Sequence, residues 1–193
     1  LYLAICAFYF IFQERLIFVP LGTLKKDAVI ELGTRFDEIF LTTEDGAEIH
    51  ALHIKAKHPR GCILYFHGNT GHITRWAPIA EEMTSFGFDV FLPEYRGYGK
   101  SDGQPSVSGF KRDALAAYDW LVQTRGVRPD RLLLHGHSLG SFMALHVENE
   151  REAAGVVLEN PATNVDGWVK ALTPWIARLF VNIEVDARLR GED

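Results

Sequence analysis

The sequence predicts an α/β protein, a mostly parallel sheet with helices on both faces. Three observations lead there. Apolar runs of strand length alternate with longer stretches whose apolar residues recur every three or four positions. The run at 61–66 is continuously apolar, as a strand covered on both faces requires. Glycine or proline closes successive units at Gly87, Pro93 and Gly126. The composition, 193 residues with 47% hydrophobic and 23% charged, is that of a soluble globular protein and fits one domain.

Residues 1–12 are unbroken apolar before Gln13, Glu14 and Arg15, and the chain opens on Leu rather than Met. A membrane-spanning helix needs ~20 apolar residues. Residues 1–20 are therefore expected to be the remnant of a single-pass N-terminal membrane anchor with its exit segment, and residues 21–193 the globular domain. A buried N-terminal helix is the alternative. Residues 36–43 and 48–56 flank Glu44-Asp45-Gly46-Ala47, where Asp-Gly suits the tight turn of an antiparallel hairpin. The third strand is 61–66. Ile73, Trp76, Ile79, Ala80, Met83 and Phe86 then form one apolar stripe on a helix ending at Gly87.

Residues 88–92 make a strand closed by Pro93; Phe110, Ala114, Ala117, Tyr118, Leu121 and Val122 mark a helix stopped by Gly126. Residues 131–135 are a strand leading into a helix with Leu139, Met143, Ala144 and Val147, and 154–158 are the sixth strand, followed by a helix around 168–180. The first hairpin is expected antiparallel and the rest parallel, joined by right-handed crossovers, with ligands at the carboxyl ends of the strands.

The net charge of −5 leaves no basic surface for a phosphate backbone, so nucleic acid is not an expected partner. Cys6 and Cys62 offer neither a disulfide framework nor four zinc ligands, and the odd spacing of His50 and His53 turns them to opposite faces of one strand. No metal or organic cofactor is expected.

Gly-x-Ser-x-Gly occurs twice, at Gly99-Lys100-Ser101-Asp102-Gly103 and at Gly136-His137-Ser138-Leu139-Gly140. A nucleophilic serine on a sharp strand-to-helix turn needs a strand directly before it and a helix directly after. Ser101 fails, because its strand stops at Pro93 and Gly103-Gln104-Pro105 follows it. Ser138 meets both conditions and is the expected nucleophile. Acyl transfer also needs two N–H donors converging on one oxygen, one from the residue after the nucleophile and one from the loop after the third strand. Leu139 and Asn69, the latter in His67-Gly68-Asn69, occupy those places.

Taken in order, His67-Gly68-Asn69, Tyr95-Arg96-Gly97-Tyr98-Gly99, Asp119-Trp120-Leu121 and Gly136-His137-Ser138-Leu139-Gly140 resemble the α/β-hydrolases. More narrowly they resemble the membrane-anchored serine hydrolases related to the serine aminopeptidase-like group, over residues ~10 to ~165. The resemblance implies an eight-stranded sheet and a Ser, acid, His triad in that chain order, with the acid after the seventh strand and the His after the eighth. Against that pattern the sheet is expected to be truncated after its sixth strand. Glu159, at the end of that strand, is a possible acid, since some members of the fold carry it there; a loop carboxylate shaping the strand end is the other reading. The only histidine after Ser138 is His146, eight residues along the next helix and ~12 Å away, too far to take the serine proton. The expected function is a serine hydrolase acting on a small-molecule or acylated ester, thioester or amide near a membrane, with its acid and base absent from this sequence. A catalytically inactive, membrane-tethered binding or scaffold protein on the same sheet is the alternative.

Overall fold

The computed structural model describes residues 2–18, 20, 24–33 and 35–161. The helix expected around 168–180 lies outside the described residues. The apolar N-terminal run is helical, and the helix α1 (Tyr2–Ile17) continues beyond it. Its 16 residues span ~24 Å against the ~30 Å of a hydrocarbon core. Among the described residues no helix is long and apolar enough to cross a membrane, so the fold gives the expected spanning anchor no support. The foot of α1 is docked. Phe18 packs edge-on against Phe110 with ring centroids 4.8 Å apart, and the Val107 N–H donates to Glu14 Oε1 at 3.0 Å. Ile5, Phe8 and Ile11, further out, stay exposed.

Six strands form one sheet among the described residues: β1 (Phe36–Thr42), β2 (Glu48–Ile54), β3 (Cys62–Phe66), β4 (Asp89–Pro93), β5 (Leu132–His137) and β6 (Gly155–Glu159), in the order β1-β2-β4-β3-β5-β6. β1 and β2 form the expected hairpin, turning at Gly46 with φ 83°, and β2 joins β4 antiparallel. The pairs β3–β4, β3–β5 and β5–β6 are parallel. Helices α2 (Ile73–Thr84), α3 (Val107–Asp119) and α4 (Gly140–Glu150) make the crossovers. Strand alternation divides the core. Leu64, Phe66, Phe91, Leu132 and Leu134 face α3 and α4, whereas Ile63, Tyr65, Val90 and Leu92 face α2.

Most boundaries shift by one to three residues from the sequence expectation, and two of the differences shape the fold. β5 extends to His137, delivering the strand directly to Ser138. The helix expected to run to Gly126 leaves α-geometry after Asp119 and closes with a π-helical turn at Trp120–Thr124, where the Trp120 indole stacks on Phe91 at 4.9 Å.

The loop after β4 is tied down by a buried guanidinium. Arg96 donates to Asp113 at 2.7 Å and to Asp45 at 2.8 Å, joining the β1–β2 turn to α3 through the Tyr95-Arg96-Gly97-Tyr98 segment. Burial pushes the Asp113 carboxyl up, while hydrogen bonds from Arg96 hold Asp45 well below the usual carboxylate range. Arg96→Met leaves Asp113 buried and unpaired and is expected to cost about 3–5 kcal/mol by urea denaturation. Adding Asp113→Asn should recover part of that loss.

Candidate active site

The site assembles where β3 and β5, neighbours in the sheet, end side by side with Phe66 opposite Gly136. Ser138 follows β5 at φ 53°, a left-handed conformation that costs a non-glycine residue ~1 kcal/mol or more. The residues two before and two after it must be glycine. A Cβ on Gly140 would lie 2.5 Å from the Phe66 carbonyl carbon and 2.9 Å from the His67 oxygen; one on Gly136 would lie 2.5 Å from the Ser141 Cα. The turn is held from both sides. The Ser138 N–H donates to the Glu159 carbonyl at 2.9 Å, the Ser141 N–H donates to the Ser138 carbonyl at 3.0 Å, and Ser141 Oγ donates to the Gly136 carbonyl at 3.0 Å.

The Leu139 and Asn69 N–H groups have no hydrogen-bond partner among the described residues, and neither does the Ser138 hydroxyl. The Asn69 side chain, by contrast, is fully engaged: Nδ2 donates to the Ile17 carbonyl at 2.7 Å and Oδ1 accepts from the Tyr98 hydroxyl at 2.9 Å. The loop carrying the Asn69 N–H therefore also receives the foot of α1. Ser101 sits elsewhere, its Oγ accepting from the His50 N–H at 3.0 Å.

Three histidines surround this edge: His67 and His135 are paired, and the buried Nδ1 of His137 has no hydrogen-bond partner among the described residues. His67 is fully buried, with Nδ1 2.7 Å from the Gly68 carbonyl and Nε2 2.8 Å from Glu94 Oε1, so both nitrogens are committed. His137 packs against Trp76, ring centroids 4.9 Å apart, on the α2 side. His135 packs on Tyr65 at 4.8 Å, and its Nε2 lies 3.3 Å from Glu159 Oε2. Glu159, the possible acid, thus pairs with a histidine that precedes the serine, and its carboxylate is about half exposed. His50 and His53 lie on β2 beside Glu38 and Asp89 respectively. Among the described residues no group of His, Cys, Asp and Glu is arranged to hold a metal ion.

Glu94 escaped the sequence reading. It closes β4 fully buried, and its second oxygen accepts the Ile73 N–H at 2.8 Å, at the N-terminus of α2. The available signal was its position: a carboxylate ending an apolar strand, at the sheet edge where ligands bind.

Burial lowers the pKa of His135 from 6.5, and the Glu159 carboxylate partly opposes that shift. An NMR titration of the His135 ring is expected to give a midpoint below 6.5, and Glu159→Gln to lower it further by removing the opposing charge. A midpoint that rises in the variant would contradict the pairing.

A family model described as serine aminopeptidase, S33, matches residues 57–192. The lysophosphatidylserine lipase ABHD12 of Danio rerio is 36% identical over 128 residues, covering 62% of this chain and 32% of that protein. The uncharacterized membrane protein YNL320W of Saccharomyces cerevisiae is 31% identical over 149 residues, covering 76% and 52%. A solved esterase from Pyrococcus furiosus superposes with a TM-score of 0.64 at 19% identity, covering 86% of this chain and 72% of that one, a likeness of fold. The chain spans about half the length of several curated relatives that it matches and about a third of the ABHD12 lipase.

Proposed function

Because the chain belongs to the serine aminopeptidase (S33) family of α/β-hydrolases, we propose that it carries the nucleophile half of a serine hydrolase centred on Ser138. Ser138 Oγ attacks the acyl carbon of an ester, thioester or amide, and its proton passes to a histidine. The carbonyl oxygen, now an oxyanion, accepts hydrogen bonds from the Leu139 and Asn69 N–H groups. The tetrahedral intermediate collapses with loss of the protonated leaving group, and water then releases the acid from the acyl-enzyme. The observation that carries this reading is a serine held at φ 53° between strand and helix, at the sheet edge where the Leu139 and Asn69 N–H groups have no partner among the described residues. The first turn of α4 adds its positive dipole end at the same place.

The acid and the histidine come, on this reading, from residues outside these 193. The share of the relatives that the chain covers supports this, as does the engagement of His67 and His135 by other partners. Without that base the hydroxyl is a weak nucleophile at neutral pH. Full-length protein is expected to label with a fluorophosphonate, and Ser138→Ala to abolish labelling and to lower kcat by roughly 10⁴-fold. Labelling that persists in Ser138→Ala would overturn the assignment.

The same reading places the protein at a lipid surface. The exposed Ile5, Phe8 and Ile11 of α1 support it, as do relatives named as a membrane protein and as a lysophospholipid lipase. Each buried aliphatic or aromatic side chain contributes roughly 1.5–3 kcal/mol. Replacing Ile5, Phe8 and Ile11 together with Ser is expected to move the protein from the floating to the soluble fraction in phosphatidylcholine vesicle flotation. Unchanged flotation would remove α1 from the membrane contact.

A further inference from the structure

Three successive carbonyls in the loop after β3 are each held by a side-chain donor. The Tyr95 hydroxyl donates to the His67 carbonyl at 2.7 Å, His67 Nδ1 to the Gly68 carbonyl at 2.7 Å, and the Tyr98 hydroxyl shares its one proton between the Asn69 carbonyl at 3.0 Å and Asn69 Oδ1 at 2.9 Å. Burial pushes both tyrosine hydroxyls upward in pKa, so they remain protonated donors. The peptide bonds are trans, so each C=O points opposite to the N–H of the same peptide plane. A donor that fixes the Gly68 carbonyl therefore also fixes the direction of the Asn69 N–H.

The His67 ring that does this is itself immobilised. Glu94 Oε1 holds Nε2 at 2.8 Å, and Glu94 Oε2 is held by the Ile73 N–H at 2.8 Å, anchoring the carboxylate to the N-terminus of α2. Tyr95 lies against one side of the imidazole at 4.4 Å between ring centroids. A Cβ on Gly99 would collide with the Glu94 carboxylate, so the loop after β4 closes over it only because that residue is glycine. A Cβ on Gly68 would come within 3.1 Å of His137 Nδ1, which sets the loop directly against the end of β5.

We propose that His67, braced by Glu94, and Tyr98 are positioning residues for the oxyanion site: His67 holds the Gly68 carbonyl, whose peptide plane carries the Asn69 N–H, while Tyr98 holds the Asn69 carbonyl and side chain on the far side of the Asn69 Cα, so that the Asn69 N–H stays aimed at the developing oxyanion. This rests on Ser138 being the nucleophile and Asn69 an oxyanion donor. All three side chains are fully buried, so they act through the loop backbone. Their effect is to remove the reorganisation that a mobile loop would need as charge develops, which is where preorganised donors gain their advantage over water.

The test uses the full-length protein with a soluble ester, reading kcat, KM and the affinity of a boronic acid that mimics the tetrahedral intermediate. His67→Gln keeps a polar group near Glu94 but loses the Nδ1 donor; His67→Asn keeps a donor near the Nδ1 position. His67→Gln and Tyr98→Phe are expected to lower kcat roughly 10- to 100-fold with KM unchanged, and to weaken boronate binding by a similar factor. His67→Asn is expected to recover most of that loss. Equal losses in the two His67 variants, or kcat and boronate affinity at parental values in folded Tyr98→Phe, would overturn the inference. Fluorophosphonate labelling that persists in Ser138→Ala would instead overturn the parent reading, so the two failures are distinct.

Discussion

Everything at the carboxyl edge of the sheet rests on one contact between backbones. The start of α4 lies against the end of β3 with no side chain between them, because Gly140 meets the Phe66 carbonyl and Gly136 meets Gly140 and Ser141. Remove that closeness and the loops after β3 and β5 separate by at least the width of a methyl group. A hydrogen-bonded oxyanion tolerates only a few tenths of an ångström of such movement. The parallel pairing of β3 with β5 then does the rest, setting His67-Gly68-Asn69 and Ser138-Leu139 side by side although nearly seventy residues separate them.

Around that contact several charged side chains are buried, and they come in matched sets. Arg96 with Asp113 and Asp45 fastens the outer part of the loop after β4; Glu94 with His67 and the Ile73 N–H fastens its beginning. Replacing such sets with apolar side chains often leaves stability unchanged or improves it. Their value here is directional, since a carboxylate with both oxygens committed fixes orientation in a way that apolar packing does not.

Much of this was legible in the sequence. The Asp45-Gly46 turn, the apolar run at 61–66 and the stripe on α2 are local patterns that report local structure, and each strand stands where its pattern lies. Ser138 could be separated from Ser101 by the same means, because a strand must precede it and a helix follow. Glu94 could not be read as buried, since nothing in Pro93-Glu94-Tyr95 announces a partner; that partner, His67, comes from another strand and Ile73 from the helix between. The docking of α1 was likewise invisible. An apolar run discloses that it avoids water but not that its last carbonyl will meet an asparagine side chain fifty-two residues away. The π-helical turn at Trp120–Thr124 depends on an aromatic contact with Phe91, again a matter of tertiary arrangement.

Ser138 also bears on what kind of molecule this is. A left-handed backbone suits glycine, which has no Cβ to clash, and disfavours serine. On the proposed reading, that less comfortable conformation is what presents the Ser138 hydroxyl at the tip of the strand-to-helix turn.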